Sequence, residues 1–353
     1  MNLLNIKSLY NSNPDLLKYY HILSPNIPNF ILEYANTKEM LKQQYISTSC
    51  GTFYSKLYNN YRYSSLEHSI GVALIIRNFT KDKKQTLSWL FHDIATPVFK
   101  HSIDYMNWDY HKQESTEDLT TEIIKNSKEI VPLLKRDNIK IEEINDYHLY
   151  PIADNDTPQL SADRLEYTLS NAYFTYKLSK ELKEIEEIYN NIEILNNENN
   201  EQELWFKDKE IAEKFVKTMS KLSQLYMDDK TRFSMQLLAD ILKIMYNNKE
   251  ITIEDLYNLK ESEIIEKIKK SKTWNISQCF LSRENTKEIN TSKTEPQNIY
   301  FVHHWTKIRY IDPLVKNNQR ISKISPQAKS NIDECLNYKM DNYMFLNFEL
   351  KNK

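Results

Sequence analysis

The chain has 353 residues, with 47 Lys plus Arg against 49 Asp plus Glu and a formal net charge of -2; it therefore carries no overall basic field for nucleic acid or an anionic membrane, and any anion site has to be local. Its three cysteines, Cys50, Cys279 and Cys335, lie far apart without a Cys-x-x-Cys pair, which argues against a disulfide framework and a thiolate metal site. Only two glycines occur, Gly51 and Gly71, which excludes the glycine-rich phosphate loops of nucleotide-binding folds.

The opening MNLLNIKSLYNSNPDLLKYY lacks the basic start and continuous apolar stretch of a signal peptide, and no later apolar run reaches the roughly 18 residues of a membrane span. A cytoplasmic protein with no membrane partner is expected. Apolar residues recur at helical spacing and turn clusters are few, so the expected fold is mostly α. LEHSIGVALIIRNF reads as one helix, and after the TKDKK turn QTLSWLFHDIA reads as a second, stopped by Pro97. SADRLEYTLSNAYFTYKL reads as a third, with Ser161 as N-cap and Asp163 in its first turn. NIEIL and EQELWF flank the polar NNENN and read as a small β-hairpin. That hairpin divides the expected organisation into a helical core over 1–190 and an accessory lobe over 191–353. Helices return in EIAEKFVKTMSKLSQLYM, MQLLADILKIMY and ESEIIEKIKKS. IYFVHHWTKIRYIDPLV then mixes aromatic, β-branched and basic residues and reads as a strand leading into a turn at Asp312-Pro313.

The residues able to carry chemistry are His68, the adjacent His92 and Asp93, and Asp163, two imidazoles and two carboxylates from three predicted helices. Such a set suits a hard-to-borderline divalent ion. A single buried His-Asp pair is a common core or capping element, but here three strings, EHSIGVA, LFHDIATPVFKH and SADRLEY, follow in order.

Over roughly residues 40–180 these strings resemble the HD-domain phosphohydrolases, whose signature is a His, a later His-Asp doublet and a distal Asp. Within that superfamily they are most similar to the deoxynucleoside triphosphate triphosphohydrolases. The resemblance implies an HD-type helical core and one divalent ion (Mn, Fe, Zn, Ni or Mg) held by His68, His92, Asp93 and Asp163. It also implies attack of metal-activated water on a nucleotide or other phosphate ester, and a possible homo-oligomer. His101, Asp104 and His111 match family positions that handle phosphate and protons, with His101 as a proton donor to the leaving oxygen. Three departures stand out: Lys112 replaces a Glu in HKQES, Ser65 stands where the family commonly has Arg, and Thr96 where it commonly has His.

From their chemistry, Arg164, Lys307 and Arg309 are candidates for the substrate's phosphates, and Thr96 is a further contact. Tyr167 and Tyr63 either stack on a base or pack, while His303 and His304 read as core or interface. Other HD phosphohydrolases, acting on nucleoside monophosphates, guanosine tetraphosphate or cyclic nucleotides, remain open, as does a degenerate nucleotide-binding module.

Overall fold

Helices form where the apolar periodicity meets a capping residue. Ser64 opens the Ser65–Thr80 helix with a capping box: its hydroxyl accepts from Glu67 N at 3.2 Å, and the Glu67 carboxylate accepts from Ser64 N at 2.6 Å. That helix is buried along most of its length and forms the centre of the first core. The Pro14–Leu23, Lys83–Leu90 and Ala162–Ser170 helices pack around it. The computed structural model describes residues 13–55, 62–109, 111, 113, 119–152, 154–281, 289–315 and 318–346; Lys112 lies outside them. The fold is mostly helical, as expected, with two small sheets. Among the described residues no helix is long and apolar enough to cross a membrane.

The hairpin forms where the sequence places it, with Ile192–Asn196 antiparallel to Gln202–Phe206. It is extended by two residues from near the C-terminus, Leu314–Val315, which pair parallel to Trp205 and Phe206. A buried ion pair fastens this sheet: Arg320 Nη1 and Nη2 lie 2.6 and 2.9 Å from Glu203 Oε1 and Oε2. Glu203 Oε1 also accepts from Leu160 N at 3.0 Å, just ahead of the Ala162–Ser170 helix. The sheet thus fixes the start of the helix that carries Asp163.

Among the described residues two large hydrophobic cores form, beside a small cluster of Met227, Cys335 and Met340, and both large cores mix the two expected regions. The first joins residues such as Leu16, Ile70 and Leu165 to Phe215, Val315 and Ile332. The second joins Ile46, Val98 and Phe99 to Leu238, Ile265 and Met344. The division at residue 190 does not coincide with either.

Two local expectations are corrected. The helix predicted through QTLSWLFHDIA ends at Leu90, so His92 and Asp93 stand on a series of tight turns. Ile94 N bonds Phe91 O at 2.9 Å and Thr96 N bonds Asp93 O at 2.9 Å, carrying the chain toward Pro97, whose ring disfavours helix at the residue before it. The strand predicted at IYFVHHWTKIRYIDPLV is reduced to Phe301–Val302 and Leu314–Val315, with backbone that belongs to no helix or strand between.

Candidate metal centre and active site

His68 sits one turn into the Ser65–Thr80 helix, and Asp163 sits in the first turn of the Ala162–Ser170 helix, where Ser161 Oγ accepts from Arg164 N at 3.2 Å. The helices pack together and bring His68 Nε2 to 3.0 Å from Asp163 Oδ1. The turn after Leu90 brings His92 Nε2 to 3.9 Å from the same oxygen. Each imidazole is fixed through its other nitrogen. His68 Nδ1 donates to Glu166 Oε2 at 2.5 Å, and His92 Nδ1 donates to the Trp89 carbonyl at 2.7 Å. Both Nε2 atoms are thereby presented to one point, an arrangement that holds metal-binding imidazoles in the correct tautomer.

One donor atom each from His68, His92 and Asp163 lies within 4.8 Å of the others. Two imidazoles and a carboxylate at this separation fit a first-row divalent ion. Burial opposes a charge on His68, but Glu166 and Asp163 outweigh it and raise the imidazole to about 10. Burial likewise opposes ionisation of Asp163, and His68 overcomes it, lowering the carboxyl to about 2. His92 is lowered, chiefly by burial.

Asp93 stands slightly apart, its Oδ2 3.7 Å from His92 Nε2. Lys100 Nζ donates to Oδ2 at 2.5 Å, Thr96 Oγ1 donates to Oδ1 at 3.0 Å, and Ser65 Oγ reaches Oδ2 at 3.5 Å. Against the effect of burial, Lys100 and the two histidines hold this carboxyl far below the usual range. Ser65 and Thr96, two of the three departures from the pattern of the resembled family, both bond Asp93.

The metal-ligand candidates face a cavity of about 440 Å3, which Lys100, His101, Arg164, Tyr167, Lys307 and Arg309 also line. Asp104 is buried behind His101 and accepts from its Nδ1 at 2.9 Å, leaving Nε2 3.4 Å from Arg309 Nη2. Burial and the nearby Arg309 lower the His101 pKa, with Asp104 opposing them. Arg309 also donates to Gln113 Oε1 at 2.6 Å. Arg164 is engaged, donating to Asn155 Oδ1 at 2.5 Å and lying 3.4 Å from Asp154. Thr96 faces a smaller adjoining pocket of about 50 Å3. His111 is exposed and lines neither pocket. Tyr63 lines the cavity while stacking on Phe174 with ring centroids 5.3 Å apart. Away from the cavity, His303 stacks on Tyr343 and His304 is buried edge-on to Tyr105.

Two residues absent from the sequence reading matter here. Glu166 is fully buried; Tyr19 and Tyr63 donate to its Oε1 at 3.1 and 2.8 Å, and Ser170 to its Oε2 at 3.3 Å. It follows Asp163 by three residues on one helix, so helical spacing alone places both on one face. Lys100 carried no comparable signal.

No protein-family model matches the chain. It is 25% identical over 252 residues to YdhJ, an uncharacterized protein of Bacillus subtilis, covering 70% of this chain and 73% of that one. It is 27% identical over 125 residues to cns2 of Cordyceps militaris, described as a metal-dependent phosphohydrolase, and this match spans 34% of each chain. A crystal structure of a phosphohydrolase from Bacteroides thetaiotaomicron shares the fold, with a TM-score of 0.62 at 13% identity over 91% of this chain and 96% of that one.

Proposed function

We propose that the protein is a metal-dependent phosphohydrolase acting on a nucleotide, with a deoxynucleoside triphosphate or a smaller relative as substrate. The observation that carries this reading is the convergence of His68 Nε2, His92 Nε2 and Asp163 Oδ1 on the wall of a cavity that also presents Lys307 and Arg309. The name of the Cordyceps relative and the fold shared with the Bacteroides protein support the same chemistry.

A divalent cation on these ligands would supply the positive charge that polarises a water molecule and a phosphoryl oxygen. The protein's own groups do the rest. His101, kept neutral at ordinary pH by its lowered pKa, turns Nε2 toward the cavity and is set to accept a proton from attacking water, while Asp104 fixes the tautomer. This makes His101 a proton acceptor in the first step and, by reversal, the donor to the leaving oxygen. Arg309 and Lys307 take up phosphate charge, and Tyr147 and Tyr167 offer aromatic walls to a base. A cysteine nucleophile is disfavoured, because burial pushes the cavity-lining Cys50 thiol up to about 11.

The test is metal analysis of the purified protein followed by a product screen against nucleoside mono-, di- and triphosphates with added manganese. A single metal equivalent and release of phosphate or triphosphate are expected, and Asp163→Ala should lose both. A wild type that holds metal but turns over no phosphate ester would overturn the enzyme reading in favour of a nucleotide-binding module.

A further inference from the structure

Phe99 and Lys100 are consecutive non-glycine residues in the left-handed region, at φ 65° and 43°. Lys100 combines its φ with ψ −119°, backbone that a glycine adopts readily and a Cβ-bearing residue only under strain. Its neighbour Phe99 is locked in place: Phe99 N donates to buried Glu261 Oε1 at 3.2 Å, and the ring is fully buried against Gly51 and Leu238. The strain at Lys100 therefore persists because the surrounding packing imposes it.

What the fold gains is the position of one ammonium. Only 12% of the Lys100 side chain is exposed, and it lines both the main cavity and the small pocket beside it. Its Nζ lies 2.5 Å from Asp93 Oδ2. Thr96 and Ser65 also donate to the two oxygens of Asp93, at 3.0 and 3.5 Å, so Lys100 supplies its charge balance but is not its only donor. Glycine at this position would remove the strain. Lys100 further shares its surroundings with Arg309: both charges act on His101 and on Cys50. Lys100, Arg309 and Lys307 thus line the same cavity as His68, His92 and Asp163, with Lys100 bonded to the Asp93 oxygen that stands 3.7 Å from His92 Nε2.

We propose that Lys100 is a phosphate-binding residue, a built-in cation that Asp93 holds at the cavity wall to receive a substrate phosphate beside His101. The inference deepens the phosphohydrolase reading and rests on it for the identity of the substrate, but not for the binding of phosphate itself. An ammonium with three donors can keep one on Asp93 and turn the others to phosphoryl oxygens.

The experiment uses Lys100→Gly, which suits the local backbone, and Lys100→Arg, which keeps the charge. Inorganic phosphate is titrated calorimetrically into manganese-loaded wild type and each variant, with thermal unfolding and metal content measured on the same samples. Lys100→Gly relieves the backbone strain but leaves the Asp93 carboxylate without its ion-pair partner; it is expected to fold and retain its metal, while phosphate binding weakens at least tenfold and Lys100→Arg recovers part of the loss. Wild-type phosphate affinity in Lys100→Gly overturns the proposal, as does a wild type that binds no phosphate. A lowered melting temperature in Lys100→Gly with unchanged phosphate affinity likewise overturns it, assigning Lys100 to structure alone. Turnover by the wild type is scored separately: phosphate binding that depends on Lys100 without any turnover would remove the enzyme reading and leave this one standing.

Discussion

Gly71→Ala tests how firmly the metal centre is held from behind. Gly71 follows His68 by one helical turn, and a Cβ there would stand 2.6 Å from Glu166 Oε1, 2.9 Å from its Cγ and 3.0 Å from its Cδ. Glu166 cannot swing away cheaply, because Tyr19, Tyr63, Ser170 and His68 all bond its carboxylate. Overpacking of this kind costs about 1–3 kcal/mol, and disturbing hydrogen bonds to a charged acceptor costs about 1.5–3 kcal/mol. Replacing a helix-interior glycine by alanine returns about 1 kcal/mol. The expected net destabilisation is about 1.5–5 kcal/mol. Displacing Glu166 also frees the His68 ring, so metal affinity should fall about 10–100-fold. Urea unfolding gives the first quantity and competition with a chelator the second. Glu166→Gln is the companion variant: it keeps the side chain's shape and removes its charge, so it should lose metal affinity with a smaller loss of stability. If Gly71→Ala unfolds at the wild-type urea midpoint and binds metal as tightly, Glu166 is not locked and does not orient His68.

Two other predictions concern separate groups. His101→Ala should lower kcat by about 10²–10⁴-fold with metal content unchanged. Because the His101 pKa is lowered, the neutral form survives to acidic pH, and activity should fall only below the ordinary imidazole value of about 6.5; the same acid limb persisting in His101→Ala would remove the assignment. Glu261 is raised to about 7 by burial, from an ordinary 4.5, with the backbone N–H groups of Ser47 and Phe99 and the charge of Arg62 acting against it. The folded protein therefore keeps a proton that the unfolded chain releases, and this stabilisation is complete below pH 4.5 and lost as pH rises through 7. Urea midpoints should fall across that window in wild type and flatten in Glu261→Gln; parallel curves would refute the assignment.

The parts of this site that were legible in the sequence are those that local rules govern. His68 and Asp163 lie on helices because Ser64 and Ser161 cap them and apolar residues follow at helical spacing, and both signals act within a few residues. The hairpin at 192–206 was equally local, a polar turn between two short apolar runs. The His92-Asp93 doublet was misplaced onto a helix because apolar periodicity continues to Ile94 and Ala95, whereas the backbone has already begun to tighten toward Pro97. Periodicity reports which side chains are buried; it does not report which hydrogen-bond ladder buries them.

The rest depends on partners distant in the chain. Glu261 bonds the backbone of Ser47, 214 positions earlier, and of Phe99, 162 positions earlier, and so joins the second core to the two loops that border the cavity. Nothing in ESEIIEKIKKS distinguishes this buried carboxylate from the solvated acids on the same helix. The segment between Val302 and Leu314 shows a related ambiguity. Its β-branched and aromatic composition suits a strand, yet it finds no ladder partner over most of its length. Backbone without a ladder partner is tolerated where it borders a cavity, because its polar groups can be met there by side chains, water or ligand. Lys307 and Arg309 line the cavity from this segment. From this stretch, outside any sheet, Arg309 reaches His101 Nε2 at 3.4 Å and Gln113 Oε1 at 2.6 Å, contacts that a strand's composition alone does not announce.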